Sequence, residues 1–241
     1  MVNLVYSYIV KQKMNNYVKT DHKKVYLVLI ISTLLFIVYI FYPRSMDPND
    51  NVQDSSIVSG AVTDIDGNVY NTIEIGNQVW MAENLRATRL NDGQRITYVP
   101  SDVAWGRLYS PGYCWPNNDT SNKEDYGALY NWYAVDTGKL APDGWHVPTD
   151  DDWNVLADYL GGADVAGCKL KEMGFAFWAG DRVDDGSFVF FEEWEKYWTS
   201  TAGGWHPTDA WYHTITKLEP RLGRSSHPKT VGHAVRCVKD D

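Results

Sequence analysis

The sequence predicts an α+β domain of short antiparallel strands and two helices, preceded by one transmembrane helix. Three observations support this prediction. Val25–Tyr42 is apolar and uncharged, short alternating segments bounded by turn residues occur on both sides of the chain's middle, and two segments of helical periodicity lie between them. Helices placed between runs of strands indicate an α+β fold, since a parallel sheet requires regular strand–helix alternation.

Composition excludes several classes of protein. The chain has 241 residues, 22 Lys+Arg and 31 Asp+Glu, and a formal charge of −9. This balance argues against nucleic-acid binding, which requires a basic face for phosphates. Three cysteines are too few for a disulfide-dense scaffold or a four-cysteine zinc module. The unusual feature is aromatic content, because all 11 tryptophans lie between Trp80 and Trp211.

The N-terminal part of the chain has the pattern of a membrane anchor. Residues 1–24 hold five lysines and one aspartate and predict a cytoplasmic tail. As a helix, Val25–Tyr42 would span about 27 Å, enough for a bilayer core. Lys23 and Lys24 before it orient the N-terminus to the cytoplasm. The polar residues 43–58 predict a linker, and 59–241 an extracytoplasmic domain in the periplasm or at the cell surface.

Other interpretations of this segment stay open. A cleaved signal peptide would end in small residues, whereas this apolar run ends in the bulky sequence Ile40–Arg44. Translation from Met14 would leave a compact basic segment before the apolar run. A buried globular helix would show an amphipathic face, which is absent from the pattern. We therefore expect a retained single-pass anchor.

The segment Ala61 to Val79 predicts a β-meander. Apolar residues alternate around the turn sequences at 66–68 and 76–77, which tolerate positive φ. Asp64 and Asp66 could suggest calcium, but an EF-hand loop needs a glutamate where this chain has Ile75. The sequence therefore favours a hairpin turn, and no motif supports calcium or another cofactor.

Two segments predict helices. Tyr126–Val135 has apolar residues at helical spacing and is followed by Gly138. The second helix begins after Thr149, which predicts an N-cap, with Asp150–Asp152 in its first turn and Gly161–Gly162 at its end. The three aspartates thus have a structural explanation, and we do not expect them to be catalytic.

The remainder of the domain predicts strands. Its alternating segments are Ser187–Phe191, Tyr197–Thr201, Ala210–Ile215 and His233–Val238. Thr199, Ser200 and Thr201 lie within one of them, without the G-x-S-x-G pattern of a nucleophile elbow. The histidines follow neither the H-x-x-x-H nor the H-E-x-x-H spacing. We expect neither a catalytic nucleophile nor a metal site.

Several motifs in order carry a family resemblance. They are Val62–Leu85, Tyr126–Gly162, the YWTST strand at Tyr197 and the VGHAVRCVKD ending. Over roughly Ala61 to Asp240 the chain resembles the Fibrobacter succinogenes major paralogous (FISUMP) domain family. The resemblance implies a bacterial extracytoplasmic module with a C-type-lectin-like fold, more loosely similar to formylglycine-generating enzymes. It implies no particular activity.

The cysteines depart from that family pattern. The resemblance implies a cysteine at Ala141 that would pair with Cys237, and this chain lacks it. Cys114 matches a common family position, whereas Cys168 replaces a frequent glycine. An extracytoplasmic location permits a disulfide among Cys114, Cys168 and Cys237, and the three pairings stay open. A loop that family members often carry between Glu172 and Gly174 is also shortened.

The late segment between the YWTST strand and the last strand predicts the binding face. Tryptophan and tyrosine can stack on sugar rings or anchor a protein partner, and charged side chains can bind hydroxyl groups. The predicted ligand-binding residues are Trp205, Asp209, Trp211, Tyr212, His213, Arg221 and Arg224. Alternatively, these aromatic residues only pack in a strand.

The sequence therefore favours a membrane-anchored, non-enzymatic binding or adhesion module for a glycan or a protein. The alternatives are an enzyme-like relative of formylglycine-generating enzymes and a structural surface protein without a specific ligand. Cys168 and Cys237 do not reproduce a reactive pair, so the enzymatic alternative lacks a motif.

Overall fold

A computed structural model of the chain describes residues 58–240. The predicted cytoplasmic tail (1–24), the predicted anchor (25–42) and residues 43–57 of the predicted linker lie outside the described residues. Within 58–240, no helix is both long and apolar enough to cross a membrane.

Most of the regular secondary structure in residues 58–240 is β-structure. The strands are β1 (Val58–Thr63), β2 (Val69–Ile75), β3 (Gln78–Met81), β4 (Thr97–Tyr98), β5 (Gly112–Cys114), β6 (Leu129–Asn131), β7 (Trp145–His146), β8 (Asp181–Arg182), β9 (Phe188–Val189), β10 (Trp194–Ala202), β11 (Asp209–Thr216), β12 (Gly223–Pro228), β13 (Gly232–His233) and β14 (Val238–Lys239). The helices are α1 (Asp102–Trp105), α2 (Lys123–Tyr126), α3 (Trp132–Val135), α4 (Asp150–Tyr159) and α5 (Ala163–Glu172).

These strands form three sheets. Their orders are β1-β2-β3-β14-β7, β10-β11-β12 and β4-β5-β6-β13-β8-β9. Every strand pair is antiparallel except β4 with β5. The sheets and the few helices confirm the predicted α+β class.

The predicted β-meander is confirmed as β1, β2 and β3 in consecutive antiparallel pairing. Asp64 organises its first turn, since its carboxylate accepts hydrogen bonds from the amides of Asp66 and Asn68 and from the hydroxyl of Tyr70 at 2.6–2.9 Å. Gly67 follows with φ 85°, a conformation that glycine adopts without strain. Asp64 thus acts within the turn, whereas the Asp66 carboxylate accepts from Thr88 and Arg89 and ties the turn to the segment after β3.

The second predicted helix is confirmed as α4. The Thr149 side chain accepts from the amide of Asp152, and the Asp152 carboxylate accepts from the amide of Thr149 at 2.7 Å. This reciprocal pair is a capping box, which satisfies two backbone donors at the helix start. The start of α4 is therefore fixed by local hydrogen bonds.

The first predicted helix, Tyr126–Val135, is wrong over half of its length. Gly127 has φ 74° and ends α2, and Leu129–Asn131 then pairs with β5 and β13 as a strand. Apart from Tyr126, which ends α2, the helical part of this segment is α3. The N-cap of α3 is Asn131, whose side chain accepts from the amide of Ala134. Sheet pairing thus overrides the helical spacing of the apolar residues.

The prediction also missed α5, which follows α4 after Gly161 and Gly162. Gly167 in this helix lies against the β11–β12 connection, where a Cβ atom would come within 2.4 Å of the Arg221 carbonyl oxygen. Small residues and a glycine on this face weaken its apolar pattern, although they allow close packing.

Two predicted strands are shorter than expected. In Ser187–Phe191 only β9 is extended, because Phe190 takes φ 58°. In His233–Val238 the chain leaves the six-stranded sheet after β13 and enters the five-stranded sheet at β14. Between them Ala234 bridges Tyr197 of β10, so this segment contacts all three sheets.

Buried aromatic rings fill the space between α4 and the sheets. Trp153 of α4 lies 4.9 Å from Trp80 of β3 and 5.3 Å from Tyr197 of β10, measured between ring centroids. Trp132 and Trp198 are also buried. These four tryptophans therefore belong to the core, whereas Trp145 is half-buried.

A polar network is buried beside this core. Asn84 donates from Nδ2 to Glu195 Oε1 and accepts from Arg236 Nη2, each at 3.0 Å. Glu195 Oε2 accepts from the amides of Phe177 and Ala179. The network joins the β3 region, β10 and the segment between β13 and β14.

Candidate functional site

The predicted late segment forms one end of the β10–β11–β12 sheet. Trp211 pairs with Ser226, and His213 pairs with Tyr197 and Arg224, so these side chains follow one face of the sheet. Helix α4 covers the inner part of this face, where Trp153 stacks on His213 at 5.1 Å. The outer part leaves Trp211 and Arg224 accessible.

Trp205 is the most exposed tryptophan of this face, with 72% of its surface accessible. Its backbone amide donates to Ser226 Oγ at 2.9 Å, and that hydroxyl donates to the buried carboxylate of Asp209 at 3.0 Å. Gly204 packs so closely here that a Cβ atom would lie 2.5 Å from Ser226 Cβ. The loop therefore holds an exposed indole in a defined place.

Trp205 lies edge-on to Trp211, with ring centroids 5.5 Å apart and planes at 70°. The Arg224 guanidinium lies over the Trp211 ring, 3.4 Å from the ring centroid. This is a cation–π contact, which holds the flexible arginine side chain flat against the indole. The three side chains form a continuous apolar and cationic surface.

Asp150 fixes the arginine from the other side. Its carboxylate accepts from Arg224 Nε at 2.8 Å and lies 2.7 Å from Arg224 Nη2, a two-pronged ion pair. His213 Nε2 lies 3.0 Å from the same carboxylate. We call Trp205, Trp211, Arg224 and Asp150 the tryptophan–arginine patch.

The seven predicted site residues have three different placements. Trp205, Trp211 and Arg224 come together, while Asp209 and His213 are buried supports beneath them. Tyr212 is buried on the opposite face of the sheet, where it packs on Trp198. Arg221 contacts Asp164 at 3.7 Å and makes none of the contacts within the patch.

Asp150 is the patch residue that sequence reasoning missed. Its position after Thr149 suggested only a helix-dipole role, and no spacing rule connects it to Arg224, which lies far along the chain. The sequence did contain a partial signal for Asp150. A capping box uses one carboxylate, and three successive aspartates follow Thr149, so the other two were available for other contacts.

The side chains that contact Asp150 lower its pKa. Burial by itself raises the pKa of Asp150, but the hydrogen bonds and charges of His213 and Arg224 outweigh burial and hold this pKa well below its usual value. Asp150 is therefore ionised at neutral pH, and it stays so into the acid range.

Asp150→Asn is expected to lower the free energy of unfolding by about 2 kcal/mol at pH 7, because hydrogen bonds to a charged group are lost. The folded-state pKa is depressed, so this stabilisation is complete above the ordinary aspartate pKa and is lost as pH falls through the folded value. Urea unfolding of wild type and variant at pH 7 and at lower pH should show the difference shrinking with acid. A difference independent of pH would contradict the ionised Asp150.

A second polar cluster lies across the sheet, on the face that holds Tyr212. His227 Nδ1 and His233 Nε2 are 3.0 Å apart, and His233 Nδ1 lies 3.5 Å from Asp181 Oδ1. The other carboxylate oxygen of Asp181 contacts the buried ammonium of Lys196. One ligand atom from each of Asp181, His227 and His233 lies within 4.8 Å of the others.

Burial lowers the pKa of His227 to about 3, and the pKa of His233 is also lowered, chiefly by burial. Both imidazoles are therefore neutral at physiological pH. No sequence pattern indicated this cluster, since His227 and His233 have no standard ligand spacing and Asp181 comes from a distant strand.

The three cysteines are free, and all three lie within residues 58–240. Cys114 and Cys237 are buried in different core clusters. Burial raises the pKa of the Cys114 thiol to about 12 and raises that of Cys237 as well. These two thiols are protonated at neutral pH, a state of low reactivity.

The comparisons with known proteins give a family and no closer relative. Neither the curated proteins nor the solved structures contain a match to this chain. The family model described as the Fibrobacter succinogenes major domain matches residues 73–239. This range contains every strand from β3 to β14, the buried network around Glu195, the cluster of Asp181, His227 and His233, and the tryptophan–arginine patch. The chain belongs to the Fibrobacter succinogenes major domain family.

Proposed function

We propose that this protein is a non-enzymatic binding module whose ligand, a glycan or a protein, docks on the tryptophan–arginine patch. In this proposal the domain has a C-type-lectin-like fold and lies outside the cytoplasm, and Val25–Tyr42 anchors it in the membrane. The anchor rests on the uncharged run and on the lysines before it.

The observation that carries the proposal is the exposed indole of Trp205. A tryptophan with 72% of its surface in water contributes little to folding, yet the loop below it is fixed through Ser226 and Asp209. Rigid, amphipathic aromatic side chains are typical of binding hot spots because little conformational entropy is lost when they bind.

The arrangement of Arg224 and Asp150 supports a polar ligand. The guanidinium is held over Trp211 before any ligand arrives, and its charge is balanced by Asp150. Indole faces can stack on the C–H surface of a sugar, and the arginine and aspartate can bind hydroxyl groups beside it. The same elements could anchor a protein loop, so the experiment includes both ligand classes.

Trp205→Ala is expected to weaken binding at least about tenfold, roughly 1.4 kcal/mol. Residues 59–241 should be screened on a glycan array and in pull-downs from surface extracts, and each hit titrated with wild type, Trp205→Ala and Trp211→Ala. Tyr109→Ala is the matched control, since Tyr109 is also 72% exposed but contacts Tyr133 instead. Binding that is unchanged by both tryptophan substitutions, or lost with Tyr109, would contradict this site.

A further inference from the structure

The histidine cluster on the other face of the β10–β12 sheet has the geometry of a metal site. His227 lies on β12 and His233 on β13, and the structure places His227 Nδ1 and His233 Nε2 3.0 Å apart. Two imidazole nitrogens that bind one tetrahedral ion at about 2.0–2.1 Å are separated by little more than this. A small movement of the half-buried His227 would admit an ion between them.

Two buried polar atoms beside this pair point to the same site. His233 Nδ1 and Asp181 Oδ1 have no hydrogen-bond partner within the described residues, although both side chains are fully buried. They face each other at 3.5 Å, which exceeds normal hydrogen-bond length. A metal ion bound to His233 Nε2 would place the ring proton on Nδ1, which faces the Asp181 carboxylate. His233 Nδ1 could then donate a hydrogen bond to Asp181 Oδ1, so that both atoms would have a partner.

We propose that His227 Nδ1 and His233 Nε2 bind a divalent transition-metal ion, with Asp181 as the carboxylate that orients His233. The carboxylate–histidine–metal arrangement is a common way to fix the tautomer of a metal ligand. On binding, the neutral His227 ring carries its proton on Nε2, so that its Nδ1 lone pair faces the ion. Water completes the coordination from the side of His227.

The positive charge of Lys196 affects which metal ions this site can bind. Its ammonium contacts the second oxygen of Asp181 and already balances that negative charge. A site without net negative charge gives little attraction to calcium or magnesium, which need several oxygen ligands. Imidazole nitrogens favour copper and zinc, and copper(II) stands highest in the affinity order for divalent ions. The ion is therefore of the copper–zinc class.

The surrounding rings enclose the site. Trp198 lies 4.3 Å from His233, and Tyr212 lies 4.6 Å from His227 and 4.8 Å from His233, between ring centroids. These contacts restrict both imidazoles to few orientations. The site lies on the opposite face of the sheet from the tryptophan–arginine patch, so its test is independent of ligand binding there.

The test uses the full-length, tag-free chain in detergent, titrated with copper(II) and zinc(II) by calorimetry. We expect one equivalent to bind, and His227→Ala to weaken this binding by about tenfold or more. His206→Ala is the control, because His206 is exposed and outside the cluster. Thermal unfolding of the metal-free variants shows whether each one folds.

Electron paramagnetic resonance of the wild-type copper(II) complex gives a readout that needs no variant. The proposal predicts couplings from two imidazole nitrogens in the wild type. Copper(II) that His227→Ala still binds at this site would show a coupling from one imidazole nitrogen, that of His233. The absence of one-equivalent binding, a spectrum without two imidazole nitrogens, or undiminished affinity in a folded His227→Ala variant would overturn it.

Discussion

Glu195→Ala is expected to lower the free energy of unfolding by about 3–5 kcal/mol, the effect of breaking a buried charged network. Glu195 is fully buried, and its carboxylate accepts hydrogen bonds from the amides of Phe177 and Ala179 and from Asn84. Alanine would leave these donors unpaired. It would also remove the carboxylate that balances the buried guanidinium of Arg236, to which Asn84 connects it.

Urea unfolding of residues 59–241, followed by tryptophan fluorescence, measures this loss. Burial raises the pKa of Glu195 to about 7, so the comparison is made above that pH, where the carboxylate is ionised. Glu193→Ala is the matched control, since Glu193 is two positions away and exposed. We expect this control to change stability by less than about 0.5 kcal/mol. Equal stabilities of the two variants would show that the network around Glu195 is not formed as described.

Trp153→Ala is expected to lower the free energy of unfolding by about 3–5 kcal/mol, through the cavity it creates. This side chain has no exposed surface and contacts aromatic rings on two sheets, including Trp80, Tyr197 and His213. Because His213 stacks on Trp153 and contacts Asp150, the same change should loosen the support of Arg224.

The control for Trp153 lies on the same helix, where Val155 is 46% exposed. Val155→Ala should leave stability within about 0.5 kcal/mol of wild type. Chemical denaturation of both variants gives the comparison. If Trp153→Ala cost no more than Val155→Ala, the aromatic packing between α4 and the sheets would not hold the domain together.

The elements that sequence reasoning found are those with local signals. The capping box joins Thr149 to the nearby Asp152, and the turn at Asp64–Asn68 is closed by its own aspartate. Such features are visible as residue types at short spacing. The β-meander and α4 were accordingly predicted correctly.

The elements that it missed depend on distant partners. Leu129–Asn131 has helical spacing but becomes a strand because β5 and β13 pair with it. Helix α5 contains Gly167, which sequence propensity disfavours and which close packing on Arg221 requires. In both segments, tertiary contacts determine the secondary structure and outweigh the local sequence preference.

The candidate site follows the same rule. Trp205, Trp211 and Arg224 lie within one segment, and their residue types led to the prediction of a binding surface there. Asp150 and the pairing of Asp181 with His233 join segments far apart in the sequence. Only the fold brings these residues together, so no spacing in the sequence could show them.

The most direct test of the binding site is the indole N–H spectrum of nitrogen-labelled tryptophan, recorded on residues 59–241 during titration with a ligand found on the array. The chain has 11 tryptophans, all within this range, and each gives one indole signal. The account predicts that the signals of Trp205 and Trp211 shift most, whereas those of buried Trp80, Trp132 and Trp153 change little. Saturable binding that leaves the Trp205 and Trp211 signals in place would contradict it.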